Sequence, residues 1–228
     1  MKSKILLLLT SVATLLVLSG CGPAMVTKGT AFPKMYEEQP RSILILPPMN
    51  NSTDAQAKDY YMTTVEMPYA LMGYYTFPTE MVSDIMKQEG VYDTEILYNM
   101  PLEKFREYFG ADTVLFTTIN KWDVSYAVIA SSLTVSISSK IVSTKTNEVL
   151  WRYTGTVVVD LSGGNGGGSL AGLVASAIAT AINTAAADYV TYAKQANARL
   201  IYTLPAGPYS PMYMKDQDIE LVQQRKRH

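Results

Sequence analysis

Hydrophobic and polar positions alternate most strictly between Ser131 and Ser143, where Leu133, Val135, Ile137 and Ile141 oppose Ser132, Thr134, Ser136 and Ser138. A period of two is that of a strand with one buried and one wet face. Val149 to Val159 reads as the returning strand, and the polar turn Thr144 to Glu148 lets Asn147 take the left-handed conformation. Asp112 to Asn120, built around Val114-Leu115-Phe116, supplies a further strand, so a three-stranded antiparallel meander is predicted. Upstream, Arg41 to Leu46 is an unbroken apolar run closed by Pro47-Pro48, the pattern of a strand buried on both faces. A polar loop is expected from Asn50 to Lys58, and Tyr74 to Phe77 reads as a short strand.

Helical spacing occupies the intervals. Pro78 to Gln88 places Met81, Val82, Ile85 and Met86 on one face, and Gly90 lies beyond its end. A second helix starts at Pro101, repeats Leu102, Phe105 and Phe109, and ends at Gly110. Further on, the glycine-rich loop Gly163 to Gly168 leads into a long Ala-rich helix, Ser169 to Ala196. Residues 161–187 carry no charge, but their Gly, Ala, Ser and Thr insert into bilayers poorly, so a helix packed on the sheet is the favoured reading over a span. Gly172, Ser176 and Thr180 form a small-residue stripe at spacing four, a candidate protein contact. The fold class is α/β in the sense of an α+β sandwich, with a mixed sheet, a meander, two short helices and one long helix. One domain is expected over residues 41–204.

The first twenty residues are of another kind. Lys2 and Lys4 precede an apolar run from Ile5 to Leu18, and Leu18-Ser19-Gly20-Cys21 fits a lipobox. The run is short for a permanent crossing, which takes about 20 apolar residues. Residues 1–20 therefore read as a signal peptide and Cys21 as the lipidation site, the residue that becomes acylated and N-terminal. Cys21 is the single cysteine of the chain, and lipidation accounts for it. Gly22 stands where an inner-membrane retention signal would place Asp, which directs the expectation to the outer membrane, periplasmic face. Gly22 to Pro40, with five Gly and Pro residues and no apolar period, reads as a tether that reaches roughly 60 Å when extended. Residues 205–228 read as a solvated, Pro-containing charged tail that includes Arg225-Lys226-Arg227-His228.

Composition narrows the chemistry. Without residues 1–20, 17 basic residues face 20 acidic ones, a net charge of −3, and no nucleic-acid partner is implied. The sole histidine is His228, so no histidine-based triad or zinc site is expected within the fold. The acidic pairs Glu37-Glu38 and Asp216-Asp218 fall in the expected tether and tail, away from any cleft. The glycine loop lacks the Lys-Ser/Thr of a phosphate loop. No catalytic residue, cofactor or metal is assigned, and the chain is not expected to be an enzyme. Tyr74 and Tyr75, with Tyr60, Tyr61 and Tyr69 nearby in sequence, are candidate interface residues because tyrosine is enriched at interfaces.

Three short segments carry a resemblance: Gly73-Tyr74-Tyr75-Thr76-Phe77-Pro78, Phe109-Gly110-Ala111-Asp112-Thr113-Val114-Leu115 and Asn147-Glu148-Val149-Leu150-Trp151. With the lipobox, they resemble a bacterial lipoprotein family of unknown function that includes a neisserial vaccine-candidate surface antigen. The likeness covers roughly residues 41–200, with Asn147 where a glycine is expected. It implies a fold like those of CsgG, PelC, LpoB and the N-terminal domain of TolB. It also implies a non-catalytic adaptor or assembly component of an envelope secretion complex, with a CsgG-like protein and other envelope lipoproteins as partners and homo-oligomers possible. Two other roles stay open: an LpoB-like regulator of a cell-wall synthase, and a small-molecule or glycan-binding lipoprotein with its site beside Gly163 to Gly168.

Overall fold

The computed structural model describes residues 25–126, 131–160, 194, 197–198 and 202–222. The chain begins there with β1 (Met25–Thr27), α1 (Lys28–Ala31) and α2 (Pro33–Glu38). It continues through β2 (Ser42–Ile45), β3 (Met49–Asn50), α3 (Ala57–Leu71), β4 (Tyr75–Thr76), α4 (Thr79–Gln88), α5 (Thr94–Asn99) and α6 (Leu102–Phe109). The meander is β5 (Thr113–Tyr126), β6 (Ser131–Ser143) and β7 (Val149–Asp160), and β8 (Glu220–Val222) closes the order.

The main sheet is mixed, in the order β4-β2-β5-β6-β7, with β3 also paired to β5. β2 lies parallel to both β4 and β5, with Ile43 opposite Thr113 and Ile45 opposite Leu115. Pro47-Pro48 interrupts the pairing with β5, since proline cannot donate to a ladder, and pairing resumes where Met49 meets Thr118. The antiparallel β5-β6-β7 meander follows, with irregularities between Ile119 and Lys121 and between Ile141 and Val142.

β2 reads as continuous apolar sequence because it is covered on both sides. Leu44 and Leu46 join Val114 and Phe116 against Val82 and Met86 of α4, Leu97 of α5 and Phe105 of α6. Ile43 and Ile45 join Leu115, Ile119 and Ile137 against Tyr61, Val65 and Tyr69 of α3. Each fully buried side chain of this size contributes about 1.5–3 kcal/mol, so α4 to α6 and α3 are held chiefly by the faces they present to the sheet. On the meander the alternation holds. Leu133, Val135 and Ile137 are buried, while Asn120 bonds across to Ser138 (2.8 Å), and Thr156 to Ser136 (3.1 Å), on the opposite face.

Local signals match several boundaries. β6 spans the predicted Ser131 to Ser143, Gly110 ends α6 at φ 65°, and Asn147 takes φ 60° in the β6–β7 turn. The Asp112 carboxylate accepts from the backbone N–H groups of Arg41 (2.8 Å) and Ser42 (3.1 Å), joining the starts of β2 and β5. Two helices depart from the sequence reading. α3 begins inside the expected polar loop, and α5 was not anticipated. α3 is rich in aromatic and β-branched residues and contains Pro68, so its helical state rests on burial of Tyr61, Val65 and Tyr69 and not on propensity.

The ends differ more. The stretch expected to be a free tether is folded from Met25 onward, with Lys28 and Met35 buried. The stretch expected to be a solvated tail packs back on the body through Ala206 and Asp216, both buried. In both, long-range partners supply the stability that local composition does not suggest.

Candidate functional site

The N-terminal and C-terminal segments meet in a small structure apart from the main sheet. β1 and β8 pair antiparallel, with Met25 opposite Val222, Val26 opposite Leu221 and Thr27 opposite Glu220. Two more backbone bonds extend the joint, from Lys28 N to Ile219 O and from Gly29 N to Gln217 O, both 2.9 Å. The Thr27 hydroxyl caps α1 by accepting from Thr30 N.

Below the ribbon lies a buried ion pair. Lys28 Nζ sits 3.1 Å from Asp216 Oδ2 and donates to Leu204 O at 2.8 Å. Asp216 Oδ2 also accepts from Ala206 N (2.9 Å), and Oδ1 accepts from the Tyr36 hydroxyl (3.0 Å). Every one of these partners belongs to the two terminal segments. A buried pair of this kind costs desolvation and contributes most when its remaining bonds are satisfied, as they are here. Burial, then the Asp216 hydrogen bond, pushes the Tyr36 phenol well above its ordinary range.

The C-terminal segment is also locked to the turn after α3. Gly73 has φ 86°, and a side chain there would run into Ser210, its Cβ only 2.3 Å from the Ser210 nitrogen. Gly207 N donates to Met72 O at 2.8 Å, and Tyr209 N to Gly73 O at 3.0 Å. Tyr74 is therefore not the interface residue expected from sequence. It is buried, its hydroxyl donates to Pro205 O at 2.9 Å, and it holds the segment down from beneath. Tyr75 does reach the surface, 52% exposed on the edge strand β4, with its ring edge-on to Phe77. Cys21, the glycine loop Gly163 to Gly168, and Gly172, Ser176 and Thr180 lie outside the described residues.

A second cluster occupies the core between α3 and the meander. The Tyr61 hydroxyl donates to Thr117 Oγ1 (3.3 Å), which shares a hydrogen bond with Ser139 Oγ (2.9 Å). Trp151 stacks with Tyr153 and meets Tyr69 edge-on, and Tyr60 stacks on Trp122. Asn197 Nδ2 donates to Thr64 Oγ1 at 2.9 Å. Burial drives the Tyr61 phenol up to about 12, against the lowering effect of its hydroxyl partners, and Tyr69 well above its ordinary value. These groups make a packed polar-aromatic core and offer no ionised nucleophile near neutral pH.

Among the described residues, no group of His, Cys, Asp and Glu is placed to hold a metal ion. Among them, too, no helix is long and apolar enough to cross a membrane. On the outer side of α3, Met67 and Leu71 stand one turn apart, 64% and 68% exposed. Sequence periodicity missed both because α3 itself was missed.

Comparison with known proteins places these features. The family described as "Putative lipoprotein GNA1162-like" matches residues 30–208. A protein of Neisseria meningitidis serogroup B, "Putative lipoprotein NMB1124/NMB1162", is 30% identical over 162 residues, covering 70% of this chain and 74% of that one. The crystal structure of lipoprotein GNA1162 from Neisseria meningitidis is similar with a TM-score of 0.54 and 29% identity, covering 64% of this chain and all of that one (100%). The LpoB C-terminal domain from Salmonella enterica is a remote neighbour, 16% identical with a TM-score of 0.34 over 57% of this chain and 97% of that domain. The chain belongs to the GNA1162-like lipoprotein family.

Proposed function

We propose that this protein is a non-catalytic lipoprotein held by acylated Cys21 in the outer membrane, periplasmic face, where it docks other envelope proteins as an assembly or adaptor component. The observation that carries the docking reading is the pair Met67 and Leu71. Both are large, apolar and mostly exposed at i and i+4, on a helix whose other face is buried. Exposed apolar side chains at helical spacing fit a groove or helix of a protein partner. Tyr75 on the short edge strand β4 adds an aromatic side chain of the kind that anchors interfaces. A CsgG-like protein or another envelope lipoprotein is the expected class of partner.

The reach of the anchor separates this role from that of a synthase regulator. β1 begins at Met25, four positions after Cys21 in the sequence. Four Cα steps span at most about 14 Å, far from the 60 Å of a nineteen-residue tether. A body held that close acts at its own membrane.

A photo-crosslinking amino acid placed at Leu71 or Tyr75 in intact envelopes tests the reading. Adducts with a defined envelope protein are expected from these sites and not from Thr154 on the polar meander face. Absence of adducts at both Leu71 and Tyr75 removes the docking surface from the account.

A further inference from the structure

We propose that the β1–β8 ribbon is a lipid-contacting foot, seated on the anionic membrane surface that holds the Cys21 acyl chains. The inference rests on the lipid-anchor reading and adds a second contact to it. The register is the starting point. Met25 and Val222 are direct cross-strand partners, so their side chains share one face of the ribbon. They are 51% and 60% exposed, an apolar pair at its outermost rung. A two-stranded ribbon is marginal alone in water, but this one is clamped to the body through Lys28, Gly29 and Asp216, so the direction of its face is set by the fold.

The chain on either side identifies the occupant. Going upstream from Met25, four Cα steps lead to Cys21, at most about 14 Å. That distance is at most about two headgroup layers of roughly 5–8 Å each, so an acylated Cys21 keeps the outer rung of the ribbon close to the lipid interface. Going downstream from Val222, three to five steps lead to Arg225, Lys226 and Arg227. Because the strands are antiparallel, Met25 and Val222, the described residues nearest in sequence to Cys21 and to the three basic residues, share one rung. The charges along β8 are ordered to match. Asp218 and Glu220 precede Val222 along the chain, and the three basic residues follow it. A membrane surface of anionic headgroups attracts the basic side and keeps the acidic side away, while the apolar pair enters between the headgroups.

The test uses tryptophan as a depth probe, since the native Trp122 and Trp151 are buried and stay out of contact with lipid. The full acylated chain carrying Val222→Trp is reconstituted into vesicles of phosphatidylethanolamine and phosphatidylglycerol that contain brominated lipid. Met25→Trp serves as the second variant, and Thr154→Trp as the reference. Quenching at 222 and 25 but not at 154 is expected. Unacylated full chains carrying Cys21→Ser, added to vesicles from solution, should bind phosphatidylglycerol vesicles about 100-fold more tightly than the same chain with R225Q/K226Q/R227Q, from about 1 kcal/mol for each basic residue. Unquenched tryptophan at both 222 and 25, or equal binding by the triple variant, overturns the proposal. Metabolic labelling of Cys21 with palmitate reads the anchor separately, so a failed anchor and a failed foot give different results.

Discussion

The Asp216 carboxylate takes Lys28, Ala206 and Tyr36 as partners in a place that water does not reach. Neither member of the ion pair was legible in the sequence. Lys28 and Asp216 lie 188 positions apart, each in a stretch whose Gly, Pro and charge content reads as unstructured. Removing one partner strands the other, and Asp216→Ala should lower stability by about 3–5 kcal/mol in urea unfolding. Replacing both, as Lys28→Met with Asp216→Leu, should cost clearly less than the single change, because no charge is left buried alone. Gly73 is the other decisive single position. Its positive φ and the Ser210 backbone at its α-carbon leave no room for a side chain, so Gly73→Ala should cost about 2–4 kcal/mol by the same measurement.

At the scale of elements, legibility followed the source of each element's stability. β6 was read to the residue because strict alternation over Leu133, Val135 and Ile137 is a local signal, and α6 because Pro101, Phe105 and Gly110 mark its start, face and end. α3 was missed because Tyr60, Tyr61, Thr63, Thr64 and Val65 favour strands and Pro68 interrupts, while its helical state comes from contact with the sheet. α5 shows no period over its six residues, and besides Leu97 in the core it is tied to the sheet by Tyr98. The Tyr98 hydroxyl accepts from Thr117 N at 2.8 Å and donates to Thr117 O at 2.5 Å. Tyr98→Phe should therefore cost about 1–3 kcal/mol, and faster amide exchange through α5 is the local readout. Of the candidate contact residues, Tyr75 stands at the surface as its type suggested. Tyr74, one residue before β4, is instead buried, because its hydroxyl and ring are taken up by the C-terminal segment at Pro205.

For the molecule as a whole, the buried and half-buried phenols set a pH limit. Burial raises Tyr36, Tyr61, Tyr69, Tyr74 and Tyr98 above the ordinary tyrosine value. A raised folded-state value means that the native state holds the proton more tightly than the unfolded chain does. The stabilisation is thus complete below about pH 10 and is lost as pH climbs through and beyond 12, the value for Tyr61. Alkaline titration followed by tyrosinate absorbance should show these five ionising together with loss of circular dichroism, whereas early non-cooperative ionisation would contradict their burial. The fold class and family were legible from short motifs. The folding of residues 25–40 was not, because the contacts of β1 with β8 are invisible to local pattern. The account as a whole stands on Cys21. Metabolic labelling with palmitate, followed by mass spectrometry of the mature N-terminus, tests it most directly. The prediction is a chain that begins at acylated Cys21 with residues 1–20 removed, and no label in Cys21→Ser. An unlabelled chain, or one whose mature N-terminus lies elsewhere, would contradict the account.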